Sequence, residues 1–148
     1  MEYRVKAAFL LNFTKFVEWP AAELPESDSF TICILGEDPF GSVLDQMTEG
    51  ETVNGRKLAI LRIRANSPKA CQVVFFSKPE KGYAQILSGF NRGVLTVGEG
   101  DTFLHDGGII AFVIENRRVR FDIDQSAAAT AGLRISSKLL SVARSVEK

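Results

Sequence analysis

The sequence predicts an α/β domain: a three-layer-type sandwich around a largely parallel core sheet, with a C-terminal antiparallel hairpin and flanking helices. Three observations predict it. Phe30–Leu35 (FTICIL) and Cys71–Phe76 (CQVVFF) are apolar on both faces, the mark of strands covered from two sides. Segments with helical spacing of apolar residues alternate with such strands. Late in the chain, two strand-like arms flank a polar four-residue turn. The length of 148 residues fits one domain, taken as residues 1–148.

The elements follow in order. Val5, Phe9, Phe13, Phe16 and Val17 recur at spacings of three and four, which predicts an amphipathic helix that Pro20 stops. The stretch Ala7–Val17 is broken by Asn12, Thr14 and Lys15 and is too short to cross a bilayer. Arg4 and Lys6 imitate the basic start of a signal peptide, but Glu18-Trp19-Pro20 follows instead of a small-residue cleavage site. Phe30–Leu35 is the first central strand, ended by Gly36, and Phe40, Val43, Leu44 and Met47 form the next helical stripe. Asp38 is expected to cap that helix ahead of Pro39. Asn54-Gly55 is a turn signal, and Lys57–Ile63 alternates as a strand.

Ile63 to Cys71 is a short link for a parallel crossover, which normally takes a dozen residues or more. Either the Lys57–Ile63 strand is short and at an edge, or the pair is not a standard unit. Tyr83, Ile86, Leu87 and Phe90 share a helical face that Pro79 would start, and Val94–Val97 is a short buried strand. Ile109–Ile114 and Val119–Ile123 flank Glu115-Asn116-Arg117-Arg118 as a hairpin. In its second arm Val119, Phe121 and Ile123 share one face, and Arg118, Arg120 and Asp122 the other, read as a solvated face or a partner surface. Ala127–Ala131 reads as a short helix closed by Gly132, and Leu133–Ile135 leads into a last helix carrying Leu139, Leu140, Val142 and Ala143. The β/α alternation makes the core sheet Rossmann-like.

Composition narrows the chemistry. Lys+Arg and Asp+Glu number 18 each, so the formal net charge is zero, and no excess of cations exists for nucleic-acid binding through a general basic field. One histidine, His105, and two cysteines, Cys33 and Cys71, cannot complete a four-cysteine or two-cysteine, two-histidine zinc site. Gly98-Glu99-Gly100-Asp101 is glycine-rich but lacks both phosphate-loop patterns and carries two acids, so it reads as a turn. A phospho-acceptor receiver needs an aspartate after the third strand, where Ser77 and Lys78 stand. No G-x-S-x-G nucleophile elbow occurs, and His105 falls in a polar loop. No catalytic residues, cofactor or metal site are expected. The two cysteines fit equally a bridge between neighbouring strands and two buried thiols.

A set of blocks then carries a resemblance. AAFLLNFTKFVEWP at Ala7–Pro20, FTICILGEDPFG at Phe30–Gly41, VNGRKL at Val53–Leu58, CQVVFFS at Cys71–Ser77, VLTVGEGDTF at Val94–Phe103 and Gly107-Gly108 occur in that order. RVRFDID at Arg118–Asp124 and AGLRISSKLLSVAR at Ala131–Arg144 complete it. Together they resemble the YfiR-like family over nearly the whole chain.

The resemblance implies a periplasmic, non-catalytic, dimeric and redox-sensitive protein whose signal peptide, not present in this chain, is removed. Its implied partner is an inner-membrane diguanylate cyclase, bound through the periplasmic sensor domain and held inactive, so that cyclic di-GMP and biofilm formation fall. No nucleic-acid partner and no membrane insertion are implied. A disulfide typical of the family, between the first and third core strands, maps onto Cys33 and Cys71. A second family disulfide would fall around Asp101–Ala111, where this chain has no cysteine. Partner- or ligand-contact positions carry over onto Asp122, Ala128 and Arg134, and a histidine of some members is Ser136 here.

The resulting reading is an inhibitory binding protein. Arg120, Asp122 and Arg134 would be polar contacts beside the C-terminal helix, and an exposed apolar patch around Ala127 and Ala128 the contact core. Charge reversal at Asp122 or Arg134 is expected to weaken partner binding and spare the fold. The alternative is a small-molecule-sensing periplasmic domain acting on another partner, with a pocket near Trp19 or Arg134. A Rossmann-like enzyme is the third, and nucleotide-induced thermal stabilisation would mark it.

Overall fold

The computed structural model describes residues 2–20, 24, 29–63, 71–77, 86–87, 93–100 and 102–148. The chain opens with helix α1 (Glu2–Phe16), which passes directly into the two-residue strand β1 (Val17–Glu18). β2 (Ser29–Leu35), α2 (Ser42–Thr48), β3 (Thr52–Val53) and β4 (Arg56–Ile63) follow. Then come β5 (Val73–Phe76), β6 (Leu95–Glu99), β7 (Ile110–Glu115) and β8 (Arg118–Asp124). The chain closes with α3 (Gln125–Thr130), β9 (Arg134–Ile135), α4 (Ser137–Val142) and β10 (Ser145–Glu147).

Eight strands form one sheet in the order β10-β8-β7-β6-β5-β2-β4-β3. β4, β2, β5, β6 and β7 are mutually parallel, in the 2-1-3-4-5 order of a doubly wound sheet. β8 turns back antiparallel on β7, as the hairpin pattern predicts. Asn116 (φ 51°) and Arg117 (φ 65°) both take the left-handed conformation that the twist of a two-residue hairpin turn demands.

This order settles the short link after Ile63. β4 has eight residues, lies parallel to β2 and, among the described residues, is covered on its outer side only by β3. β4 and β5 flank β2, so the connection passes the strand between them; its residues 64–70 lie outside the described residues.

Parity along the strands sorts the core into two faces. Ile32, Ile34, Val73, Phe75, Leu95, Val97, Ile110, Phe112, Phe121 and Ile123 point to one face, where all four labelled helices pack. Phe13 of α1 stacks with Phe112 (5.8 Å) and meets Phe121 edge-on (5.1 Å), and each buried phenylalanine there removes apolar area worth about 2–3 kcal/mol. Cys33, Leu35, Val74, Phe76 and Ala111 point to the other face, against Leu87 and Phe103. Ile86 and Leu87 are helical, as expected; Pro79, Tyr83 and Phe90 of that predicted helix lie outside the described residues.

Several local expectations are corrected. The buried stripe of α1 is Lys6, Ala7, Leu10, Phe13 and Thr14, rotated from the predicted one, and Val5 is exposed. The helix ends at Phe16, because the chain enters β1, before Pro20 is reached. Asp38 does not cap α2, whose N-cap is Gly41; its Oδ1 accepts from the Phe40 amide (2.9 Å) and its Oδ2 from Arg62 Nε (2.9 Å). Ser145–Glu147, unpredicted, adds as β10 parallel to β8.

Candidate functional site

The site grows from a seam between the ends of two helices. β1 and β9 pair antiparallel, Val17 opposite Ile135 and Glu18 opposite Arg134, and the Ser136 amide donates to Phe16 O at 2.9 Å. Alternation along these short strands buries Val17 and Ile135 in the core and sends Glu18 and Arg134 outward.

The seam divides two depressions. The larger, about 750 Å³, is lined by Lys15, Glu18, Trp19, Val53, Asn54 and Arg134 among others. The smaller, about 380 Å³, takes in Lys15, Glu18, Arg134, Ser136 and Ser137. Lys15, Glu18 and Arg134 border both. Trp19 forms part of the wall and is held rigidly: its ring meets Phe30 edge-on (4.8 Å) and its Nε1–H donates to Gly93 O at 2.8 Å. Lys15 is ion-paired with Glu51 at 3.3 Å. Two cations and one carboxylate around an apolar wall suit an amphipathic anion or zwitterion, or the polar rim of a protein contact.

The predicted site residues do not all come together. Arg134 and Ser136 meet at the seam. Ser136 also caps α4, its Oγ accepting from the Lys138 amide at 3.1 Å. Arg120 and Asp122 lie on the face of β8 opposite to Phe121, in a separate charged group. There Arg120 reaches Glu115 (3.5 Å), and Arg144 reaches Glu115 (3.6 Å) and Asp122.

Two expectations about this region are corrected. The charged face of β8 is solvated only in part: Arg118 is exposed, but Asp122 is only 9% exposed, because the segment after α4 carries Arg144 onto it. Reversing its charge would set two cations against each other in a covered place, so the fold would not be spared. The apolar patch at Ala127 and Ala128 is also absent. Ala128 is 1% exposed within the core and Ala127 packs against it, since α3 lays this side onto the sheet.

Lys15 and Glu18 escaped the sequence reading. Lys15 stands in the last turn of α1 and Glu18 in β1, and only the β1–β9 pairing, too short to register as periodicity, brings them beside Arg134, although both fall in one of the resemblance blocks.

Cys33 and Cys71 form a disulfide between β2 and the entry to β5, Cα atoms 5.9 Å apart. Among the described residues no group of three or more His, Cys, Asp or Glu side chains is placed to hold a metal ion. No described helix is long and apolar enough to cross a membrane. Residues 3–144 match the model of a family described as YfiR/HmsC-like. No curated protein matches the chain.

Proposed function

The chain belongs to the YfiR/HmsC-like family, and from that premise we propose that it is a periplasmic, non-catalytic regulator of diguanylate cyclase signalling. Its finer role in this reading is inhibition: it binds the periplasmic sensor domain of an inner-membrane cyclase in its inactive conformation and shifts the population away from the active one. Cyclic di-GMP and biofilm formation fall as a result. The observation that carries the reading is the family match across residues 3–144. The Cys33–Cys71 disulfide supports an oxidising compartment.

Arg134 and Ser136 at the seam, with Lys15 and Glu18, form the contact surface in this reading, and Arg120, beside the Arg144–Asp122 pair, a second polar edge. The test is titration calorimetry of the chain against the purified sensor domain of a membrane diguanylate cyclase encoded in the same genome. Cellular cyclic di-GMP is measured alongside, with the chain expressed or deleted. Binding, with lower cyclic di-GMP on expression, is expected. Arg134→Glu should weaken binding about tenfold or more with the melting temperature retained, since Arg134 is exposed. No binding and unchanged cyclic di-GMP would sink the reading.

The cleft beside Trp19 favours a second reading, a small-molecule-sensing periplasmic domain acting on another signalling partner. A saturable rise in melting temperature with a small amphipathic anion, lost in Arg134→Glu, would support it.

A further inference from the structure

The antiparallel hairpin reaches out of the sheet. Glu99, the last residue of β6, pairs with Phe112, and β7 continues beyond it through Val113, Ile114 and Glu115. At the rise of an extended strand the turn stands about 10 Å past its neighbour. The first turn of α1 lies at the same end, because Tyr3 and Lys6 both reach Glu99.

Two kinds of side chain collect there. Phe112 opposite Phe121 and Ile114 opposite Val119 are successive pairs on the helix-side face. Phe9 of α1 covers the first pair, 6.1 Å from Phe112 and 5.3 Å from Phe121. The second pair is left open, with Ile114 54% exposed, and Val5, one helical turn before Phe9, is 43% exposed. Arg4, Arg117 and Arg118 are exposed as well, and none makes an ion pair among the described residues. The acids beside them are already engaged. Glu2 and Glu99 pair with Lys6, and Glu115 with Arg120 and Arg144. A chain of zero net charge thus gathers unpaired cations and exposed aliphatic side chains at one tip.

We propose that this tip, Ile114 to Arg118 with Arg4 and Val5 beside it, docks the protein on the surface of an anionic lipid bilayer. Guanidinium groups fork onto phosphate oxygens, and the aliphatic side chains between them settle among the headgroups. Shape and size favour this occupant over a protein. The tip is convex, with Asn116 and Arg117 exposed at its summit. A stable protein contact takes about 20–30 residues a side, and a projecting turn offers only a handful. A bilayer needs no matched pocket, and each cation brought near it strengthens binding about fivefold. The seam at Arg134 lies past the other end of α1, so a docked chain leaves it clear. The proposal stands apart from the cyclase reading.

Flotation of the intact chain with lipid vesicles tests it. With phosphatidylcholine and phosphatidylglycerol in equal parts, the wild type is expected to float at low salt and to be released as salt screens the headgroups. With phosphatidylcholine alone it should stay behind. Arg117→Asn together with Arg118→Gln should lower the partition coefficient about tenfold or more. The thermal melt should be unchanged, since both residues are exposed and asparagine tolerates the left-handed turn at 117. In a second arm, Ile114→Trp places an indole at the tip. Lipids brominated close to the headgroup should quench it, and should leave the buried Trp19, the only tryptophan of the wild type, nearly untouched. No flotation, equal flotation with neutral vesicles, flotation that survives loss of the two arginines, or an unquenched tip indole would each overturn the proposal. If vesicles are ignored while the same arginine changes abolish binding to a cyclase sensor domain, the tip is a protein contact and the proposal fails.

Discussion

Arg144 folds over Asp122 with both carboxylate oxygens engaged, Nε to Oδ1 at 2.9 Å and Nη2 to Oδ2 at 2.6 Å. The Arg144 amide also donates to Phe121 O at 2.7 Å. The last strand, β10, spans three residues and, among the described residues, pairs only with β8, so this fork is its main side-chain anchor. Arg144→Ala and Asp122→Asn should each lower the melting temperature by several degrees. The double variant should lose less than the two shifts combined, because both remove one contact. Limited proteolysis should clip the C-terminal segment of Arg144→Ala faster than that of the wild type. An additive cycle and unaltered proteolysis would show that the backbone ladder alone holds β10.

The first turn of α1 makes a second prediction. Tyr3 Oη donates to Glu99 at the carboxyl end of β6 (3.1 Å to Oε2), and the buried Lys6 ammonium pairs with Glu99 and Glu2. Burial first, and the Glu99 charge second, push the Tyr3 phenol up to about 12. A raised folded-state value means that the phenol contributes stability below its unfolded value of about 10. That contribution is lost as pH rises through about 12. Absorbance titration should therefore show a late phenolate step that Tyr3→Phe lacks. The wild type should lose stability relative to Tyr3→Phe between those two pH values. A single ordinary tyrosine step in the wild type would contradict this.

The Cys33–Cys71 bridge gives the third. It spans 38 residues of sequence, and loop-entropy reasoning assigns about 4 kcal/mol to such a closure. Non-reducing mass measurement of protein from an oxidising compartment should detect no free thiol. Reduction should expose two, lower the urea midpoint and steepen the slope, since the unbridged denatured chain exposes more surface. Unchanged stability after reduction would mean that native packing at Cys33 and Cys71, both buried, already fixes the two strands.

The same bridge shows how legibility divided. Phe30–Leu35 and Cys71–Phe76 announced themselves as buried strands by being apolar on both faces, and the hairpin by its polar turn between two apolar arms. Register could not be read, because nothing local says which strands become neighbours. For that reason the residues alone fit a bridge and two separate thiols equally, and only the blocks of resemblance favour the bridge. β1, β9 and β10 were invisible for another reason: two or three residues carry no period, and tertiary pairing makes them strands. The site suffered most from this. Arg134 was named through the resemblance, but Lys15 and Glu18 are brought to it only by the β1–β9 pairing. Asp122 looked solvated because alternation alone cannot foresee that a residue 22 positions later will cover it.

Phe103 gives the last prediction. Its ring lies between Gly98 of β6 and Gly108, and a Cβ built on either glycine would fall inside the ring's contact surface. Phe103 is 3% exposed and its ring also meets Phe76 at 5.2 Å. By sequence alone Gly98-Glu99-Gly100-Asp101 reads as a turn. In the fold, Gly98 is a strand residue whose missing side chain makes a seat for this ring. Gly98→Ala should cost about 1–3 kcal/mol by overpacking. Phe103→Ala should cost about 3–5 kcal/mol through lost burial and a cavity. In the double variant the added methyl group has room where the ring stood. Its loss, measured by urea unfolding, should therefore fall below the two single losses taken together. Simple additivity would mean that the ring slides away from the added methyl group at no cost, so that the glycine is there for some other reason.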